Sequence, residues 1–470
     1  MARLNRTRAG TALLLVSLLV GCGPTAEAIV TPTPPPGGPL VSIPFRTVVP
    51  PTATSPSAPA PTSTAPIDLS TPSGPVGSPS PTSPTSPASA QPSGGVGPTL
   101  APGERWIHLT DFPASGAFEV TSVAAALTGF VAVGFKAVGE EGFFGRRQGV
   151  IWRSEDGRTW TETVPTEFEF VTPEDVAVLG DAVFVFGSVE TCDFSTDDEC
   201  VEPLEAGWGI WRLDGAGWER LPTPASMASG TMDGVAVANG ALEAFGWASN
   251  ETQSPIVWRS TDGVTWAEST NVAGMDPITT IGGVPAGVAA FGSVFDANLA
   301  DLRLIAAYAA DGINFAPANA PALSGTTIQG ITSGPTGVVA VGDGDNVDVG
   351  FDGVVLFSTD GVTWTAGSAI DSSFSGATLR AVHAIPAGYV ALGMLPESLD
   401  AMAAGASWFS ADGLNWQMLS PLGGTFSLLE TSAAGPTGIV AFTVSDVGFD
   451  DEAESSTVDA WFGPVDALVP

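Results

Sequence analysis

Seven short apolar stretches, most bounded by glycine, recur along the C-terminal part of the chain. They are GFVAVGF (129–135), AVFVFGS (182–188), ALEAFGW (241–247), GVAAFGS (287–293), GVVAVGD (337–343), GYVALGM (388–394) and GIVAFTV (438–444). Each is too short for a helix and is apolar at consecutive positions, which predicts a strand buried on both faces. No segment keeps a 3.6-residue apolar period, so helix should be nearly absent beyond the N-terminus. A turn motif separates these stretches: SEDGRTW (154–160), STDGVTW (260–266 and again 358–364) and SADGLNW (410–416), with weaker copies LDGAGW (213–218) and AADGINF (309–315). Its Asp-Gly pair predicts a tight turn, because Gly adopts positive φ at no steric cost.

A spacing of roughly fifty residues between copies marks a repeat architecture. Each unit reads as four strands; in the third these are 231–240, 241–247, 254–260 and 265–270. Four-stranded antiparallel units repeated radially make an all-β, seven-bladed β-propeller. The last unit ends without a turn motif, and the missing piece lies at the other end of the chain. Gly103 and Trp106 have the spacing of Gly157 and Trp160, so 104–112 is expected to supply the outer strand of the seventh blade. Closure of this kind removes a free sheet edge. A six-bladed ring is the alternative.

The Ser-x-Asp-Gly-x-x-Trp copies resemble the Asp box of sialidases and related BNR-repeat propellers. Here Gly157, Gly263, Gly361 and Gly413 follow their Asp directly, one residue earlier than in that family. The resemblance implies a structural role: Ser154 and Asp156, for example, would hold turn amides while the Trp packs beneath. It implies no catalysis by itself. Sialidases also need three arginines around a carboxylate, a Tyr nucleophile partnered by Glu, and an Asp acid/base. Arg153, Arg212, Arg259 and Tyr308 all fall in one repeated slot before the turn, which reads as structural, and Tyr389 is the only other tyrosine. His108 and His383 are the only histidines, and no Gly-rich phosphate loop, C-x-x-C or H-E-x-x-H is present. A glycosidase carboxylate pair drawn from distant blades would leave no local spacing.

The chain begins with Arg3, Arg6 and Arg8 followed by an apolar run at 11–20, the pattern of a secretion signal too short to span a membrane. Leu19-Val20-Gly21-Cys22 resembles the bacterial lipobox, which implies cleavage after residue 21 and lipidation of Cys22; an ordinary signal peptide is the alternative. Residues 22–103 are almost uncharged Pro, Ser, Thr, Ala and Gly, expected to be disordered because they cannot bury enough surface to offset chain entropy. Extended as polyproline II, such a stalk could reach roughly 200 Å. The folded part is then 104–470. The expected location is the outer face of the bacterial cell membrane, reached through the lipid anchor.

The net charge is −35, and losing the three leader arginines makes the remainder more negative still. Such a surface disfavours nucleic acid and anionic headgroups as partners. Acids concentrate in the connections from second to third strand, which share one end of a propeller with those from fourth to first. Asp197 and Asp198 lie in the second unit, Asp345, Asp348 and Asp352 in the fifth, and Asp450 and Asp451 in the seventh. The first unit adds Glu140 and Glu141 beside Arg146 and Arg147, and Trp208 lies nearby in the second. This end is the expected contact surface for a protein or glycan ligand. Oxygen-rich loops also suit a hard cation such as Ca²⁺, although none has EF-hand spacing, and acidic loops can equally serve solubility alone. Cys192 and Cys200, in one acidic loop of an exported protein, are most simply a disulfide. The chain is expected to act as a monomeric binding or scaffolding module. A sialidase-like glycosidase or lyase, or a membrane-complex assembly factor, are the competing readings.

Overall fold

The structure is a computed structural model that describes residues 104–113, 118–138, 146–189, 207–215, 217–249, 254–269, 272–296, 301–346, 350–369, 373–395, 404–422, 428–445 and 457–470. The signal segment 1–21, the linker 22–103 with Cys22, Cys192, Cys200, Glu140, Glu141, Asp197, Asp198, Asp348, Asp450 and Asp451 lie outside the described residues. Seven antiparallel sheets follow one another along the chain. Blade 1 runs Phe118–Ala126, Gly129–Val138, Arg146–Ser154 and Thr161–Thr163. Blades 2 to 6 repeat that order, each of their first four strands pairing with the next. Blade 7 takes three strands from the C-terminus and its outer strand, Ile107–His108, from the N-terminus, with Ile107 opposite Phe462. Arg105 adds hydrogen bonds to the carbonyls of Ala467 and Val469, fastening the two chain ends together. The seven-bladed expectation and its N-terminal closure both hold.

The apolar second strands explain the stacking. Alternate residues face opposite neighbours: Phe130 and Ala132 join the core between blades 7 and 1, and Val131 and Val133 the core between 1 and 2. Seven cores result, one in each gap, and one aromatic from each turn motif packs back onto the preceding blade. These are Trp106, Trp160, Trp218, Trp266, Phe315, Trp364 and Trp416. Trp106 enters the core between blades 6 and 7 and donates from Nε1 to Ser407 at 3.1 Å, which makes it the seventh equivalent of the box tryptophan.

The first strands lie innermost and contact one another around the whole ring. Polar contacts lace them together. Ser122 donates to Asp175 at 2.5 Å, Asp175 accepts from the Val235 amide at 2.8 Å, and the Val123 amide donates to Thr431 at 3.2 Å. At Gly330 a Cβ would lie 3.1 Å from the Ala381 backbone, so glycine permits the close approach there. Among the described residues the one α-helix is Ala225–Ser229. A short fifth strand, Ser368–Ala369, adds parallel to Asn415 on blade 6 and was not foreseen.

Candidate functional site

The two ends of the ring are built differently. At the end that carries the turns between third and fourth strands, the motif closes on itself. In blade 1 the Gly157 amide donates to Ser154 Oγ at 2.8 Å, and the amides of Arg158 and Thr159 donate to Asp156 Oδ1 at 2.8 and 2.7 Å. Blades 3, 5 and 6 repeat this around Asp262, Asp360 and Asp412. Amide donation from Thr265 and Val264 holds Asp262 down to about 2, and that from Asn314 does the same for Asp311. Burial opposes the shift at Asp412, but donation from Asn415 and Leu414 outweighs it and its pKa also falls to about 2. These carboxylates are spent on their own turns. Blade 2 lacks the Ser and pairs Asp214 directly with Gly217 in a tight hairpin. The repeated slot before the turn is structural too: Arg212 pairs with Glu219 at 2.9 Å, Arg259 with buried Glu243, and Tyr308 donates to the Ala286 carbonyl at 2.7 Å.

At the opposite, loop end each innermost strand carries a β-bulge near its start. The register skips one residue between Val120 and Ser122, Pro173 and Asp175, Met232 and Gly234, and Ile278 and Thr280. It does so again between Ile328 and Gly330, Leu379 and Ala381, and Leu429 and Thr431. The residues the register skips are Thr121, Glu174, Asp233, Thr279, Gln329, Arg380 and Glu430. Every one is polar, and together they mark the loop-side end of the innermost strands. Bulges commonly re-aim side chains beside functional sites. This ring escaped the sequence reading, because a register skip is defined by two strands together and the polar residue it leaves out stands among other polar residues in the first strands.

Blade 5 adds a buried carboxylate at this end. Asp343 is only 8% exposed and its Oδ1 has no hydrogen-bond partner. Burial pushes its pKa up, the attraction of Arg380 works against that, and the neighbouring Asp345 adds to it. Asp345 and Asp352, read from sequence as loop residues, belong instead to the strands Val338–Asn346 and Gly350–Ser358, because the hairpin extends well beyond the ring. Asp345 is exposed, while Asp352 accepts a hydrogen bond from the Gly376 amide at 3.0 Å. Arg146 and Arg147 are likewise strand residues; the Arg147 guanidinium stacks over Phe135 at 4.5 Å. Trp208 is half-buried and packs on the core between blades 2 and 3. Asp345 and Asp352 therefore share blade 5, whereas Arg147 and Trp208 stand on blades 1 and 2.

Among the described residues no three His, Cys, Asp or Glu side chains gather as a metal site would require. Tyr308 and Tyr389 both bond to backbone at the turn end, Tyr389 donating to Gly337. His383 lies in an innermost strand with Nε2 2.7 Å from Ser432 Oγ, and burial lowers its pKa to about 4, which keeps it neutral at pH 7.

Ring and turns together define the class: this is a seven-bladed β-propeller with sialidase-like repeats. No family model matches the chain, and no curated protein is similar to it. Similar solved structures include YCF48 bound to D1 peptide, at 13% identity over 78% of this chain and 99% of that one, with a TM-score of 0.46. The β-propeller domain of the Trilobed protease from Pyrococcus furiosus is similar at 9% identity, 73% and 93% coverage and a TM-score of 0.45. Trypanosoma rangeli sialidase is similar at 10% identity with a TM-score of 0.39; the match covers 75% of this chain but 55% of the sialidase.

Proposed function

We propose that the chain is an exported lipoprotein, anchored through Cys22, whose propeller is a binding or scaffolding module that engages a protein or glycan ligand at its loop end. The asymmetry of the ring carries this reading. At the turn end the box polar groups bond within their own motif, while the loop end carries seven polar bulge residues, all but Thr121 at least partly exposed, a buried carboxylate oxygen without a hydrogen-bond partner and the acidic connections. A glycosidase of sialidase type is less well supported, since both tyrosines bond to backbone at the other end and Arg380 is the single arginine of the bulge ring. A Cys192–Cys200 disulfide would stiffen the acidic loop of blade 2.

Affinity capture from native membranes tests the reading. Charge reversal at the loop end (Asp345→Lys with Asp352→Lys) should abolish recovery of the wild-type partner, whereas Asp262→Asn at the turn end should leave it intact. Equal recovery by both variants would sink the proposal. Anchoring is tested apart from this: Cys22→Ser should release the protein into the medium, and retention at the membrane would refute lipidation.

A further inference from the structure

One buried group at the loop end is not accounted for by the fold. Val339, Val341 and Asp343 alternate onto the side of blade 5 that faces blade 6, and the two valines are fully enclosed in the core there. Asp343 takes the next position in that row, one step nearer the loop end, and Asp345 the one after it. The row therefore passes from apolar core to buried carboxylate to exposed carboxylate. Asp343 is more than nine-tenths buried, yet its Oδ1 accepts no hydrogen bond. Leaving a buried acceptor unsatisfied is unfavourable, and more so for a charged group. Asp343 interacts electrostatically with Arg380, the bulge residue of blade 6, and with Asp345, and its strand face looks into the gap between the two blades at the loop end.

We propose that this gap is a recognition site for an alkylammonium group, the end of a lysine side chain presented by a partner protein, with Asp343 as the deep acceptor and Asp345 as the outer one. It rests on the reading that the loop end is the contact face. A carboxylate at this depth is reached by a thin, flexible stem that carries a compact charge at its tip, which describes lysine. A guanidinium needs two acceptor positions side by side to use its fork, and here one buried oxygen lacks a partner. Arg380 keeps the empty site from carrying an uncompensated charge, and an incoming ammonium supplies the hydrogen bond that Arg380 does not.

The test titrates the full-length protein calorimetrically with a capped pentapeptide, acetyl-Gly-Gly-Lys-Gly-Gly-amide. Matched peptides carry Nε-acetyl-lysine or arginine in place of lysine, and spermidine serves as a free amine. The lysine peptide should bind, the acetylated one should not, and Asp343→Asn should weaken binding at least tenfold, with Asp345→Asn weakening it less. General attraction to an acidic protein would barely notice one charge removed from so many, so equal affinity of wild type and Asp343→Asn overturns the site. So does preference for the arginine peptide, or for spermidine, over the lysine peptide. Because Asp343→Asn removes a buried charge, its melting temperature should match or exceed wild type; a large drop would show the carboxylate to be structural and would equally overturn the site. If Asp343→Asn is silent while the Asp345→Lys, Asp352→Lys protein still loses its membrane partner, this site fails and the loop-end reading survives.

Discussion

The turn end and the loop end of the ring use the same sevenfold geometry for opposite purposes. At the turn end, blades 1, 3, 5 and 6 place the same Ser, Asp and Gly in the same hydrogen bonds, and the glycine φ stays between 75° and 80°. A side chain there would collide with the neighbouring blade, within 2.2 Å of Phe184 at Gly263. At the loop end the geometry also repeats, but the residue in each bulge changes from blade to blade. Repeated residues are the ones the architecture needs. Repeated backbone with varied polar side chains leaves each blade free to specify something different.

The largest effect should come from the packing that both ends depend on. Trp416 is fully buried between blades 5 and 6, so Trp416→Ala should cost about 3–5 kcal/mol in chemical denaturation. An effect under about 1 kcal/mol would mean the box aromatic is not what ties one blade to the last. Next comes an ion pair inside the turn-end packing. Glu243 is fully buried and pairs with Arg259 where other blades place Val131, Phe184 or Val339. Arg259→Leu should cost about 3 kcal/mol by stranding a buried charge, and adding Glu243→Leu should recover most of it. Failure of the double variant to recover would show that the pair itself is required.

A smaller effect separates the ends by pH. Asp262, Asp311 and Asp412 sit at about 2 in the folded protein, below the ordinary 3.8. A depressed carboxylate stabilises the fold fully above its unfolded value and loses that contribution as pH falls through the folded one. The melting temperature should therefore decline from about pH 4 down to about 2, and Asp262→Asn should flatten that decline. Smallest of all, Phe295→Ser with Leu302→Ser should leave stability within about 0.5 kcal/mol for each change, because these loop-end side chains are 63% and 43% exposed. A larger loss would show the loop end to be architectural as well.

The fold was legible because its strongest signals are local and repeat. Consecutive apolar residues between glycines, an Asp-Gly turn and a trailing Trp fix two strands and a turn per unit, and the remnant at Trp106 closes the ring. The loop end was harder to read. Asp345 and Asp352 looked like loop residues because acids and glycines signal turns, yet cross-strand pairing carries both hairpin arms past the ring. The bulge ring depends on a register skip between two strands, which no single strand displays. The burial of Asp343 depends on blade 6 standing beside it, and its charge interaction with Arg380 joins residues almost forty positions apart in sequence.

The most direct test of the central claim places a photo-crosslinking amino acid at Phe295 or Asp345 on the loop end, and at Leu127 or Val264 on the turn end, in the full chain in its native membrane. All four positions are exposed, so reach is comparable. Crosslinks to a partner should form from Phe295 and Asp345 and not from Leu127 or Val264. Crosslinks confined to Leu127 and Val264 would contradict the account and move the contact surface to the turn end.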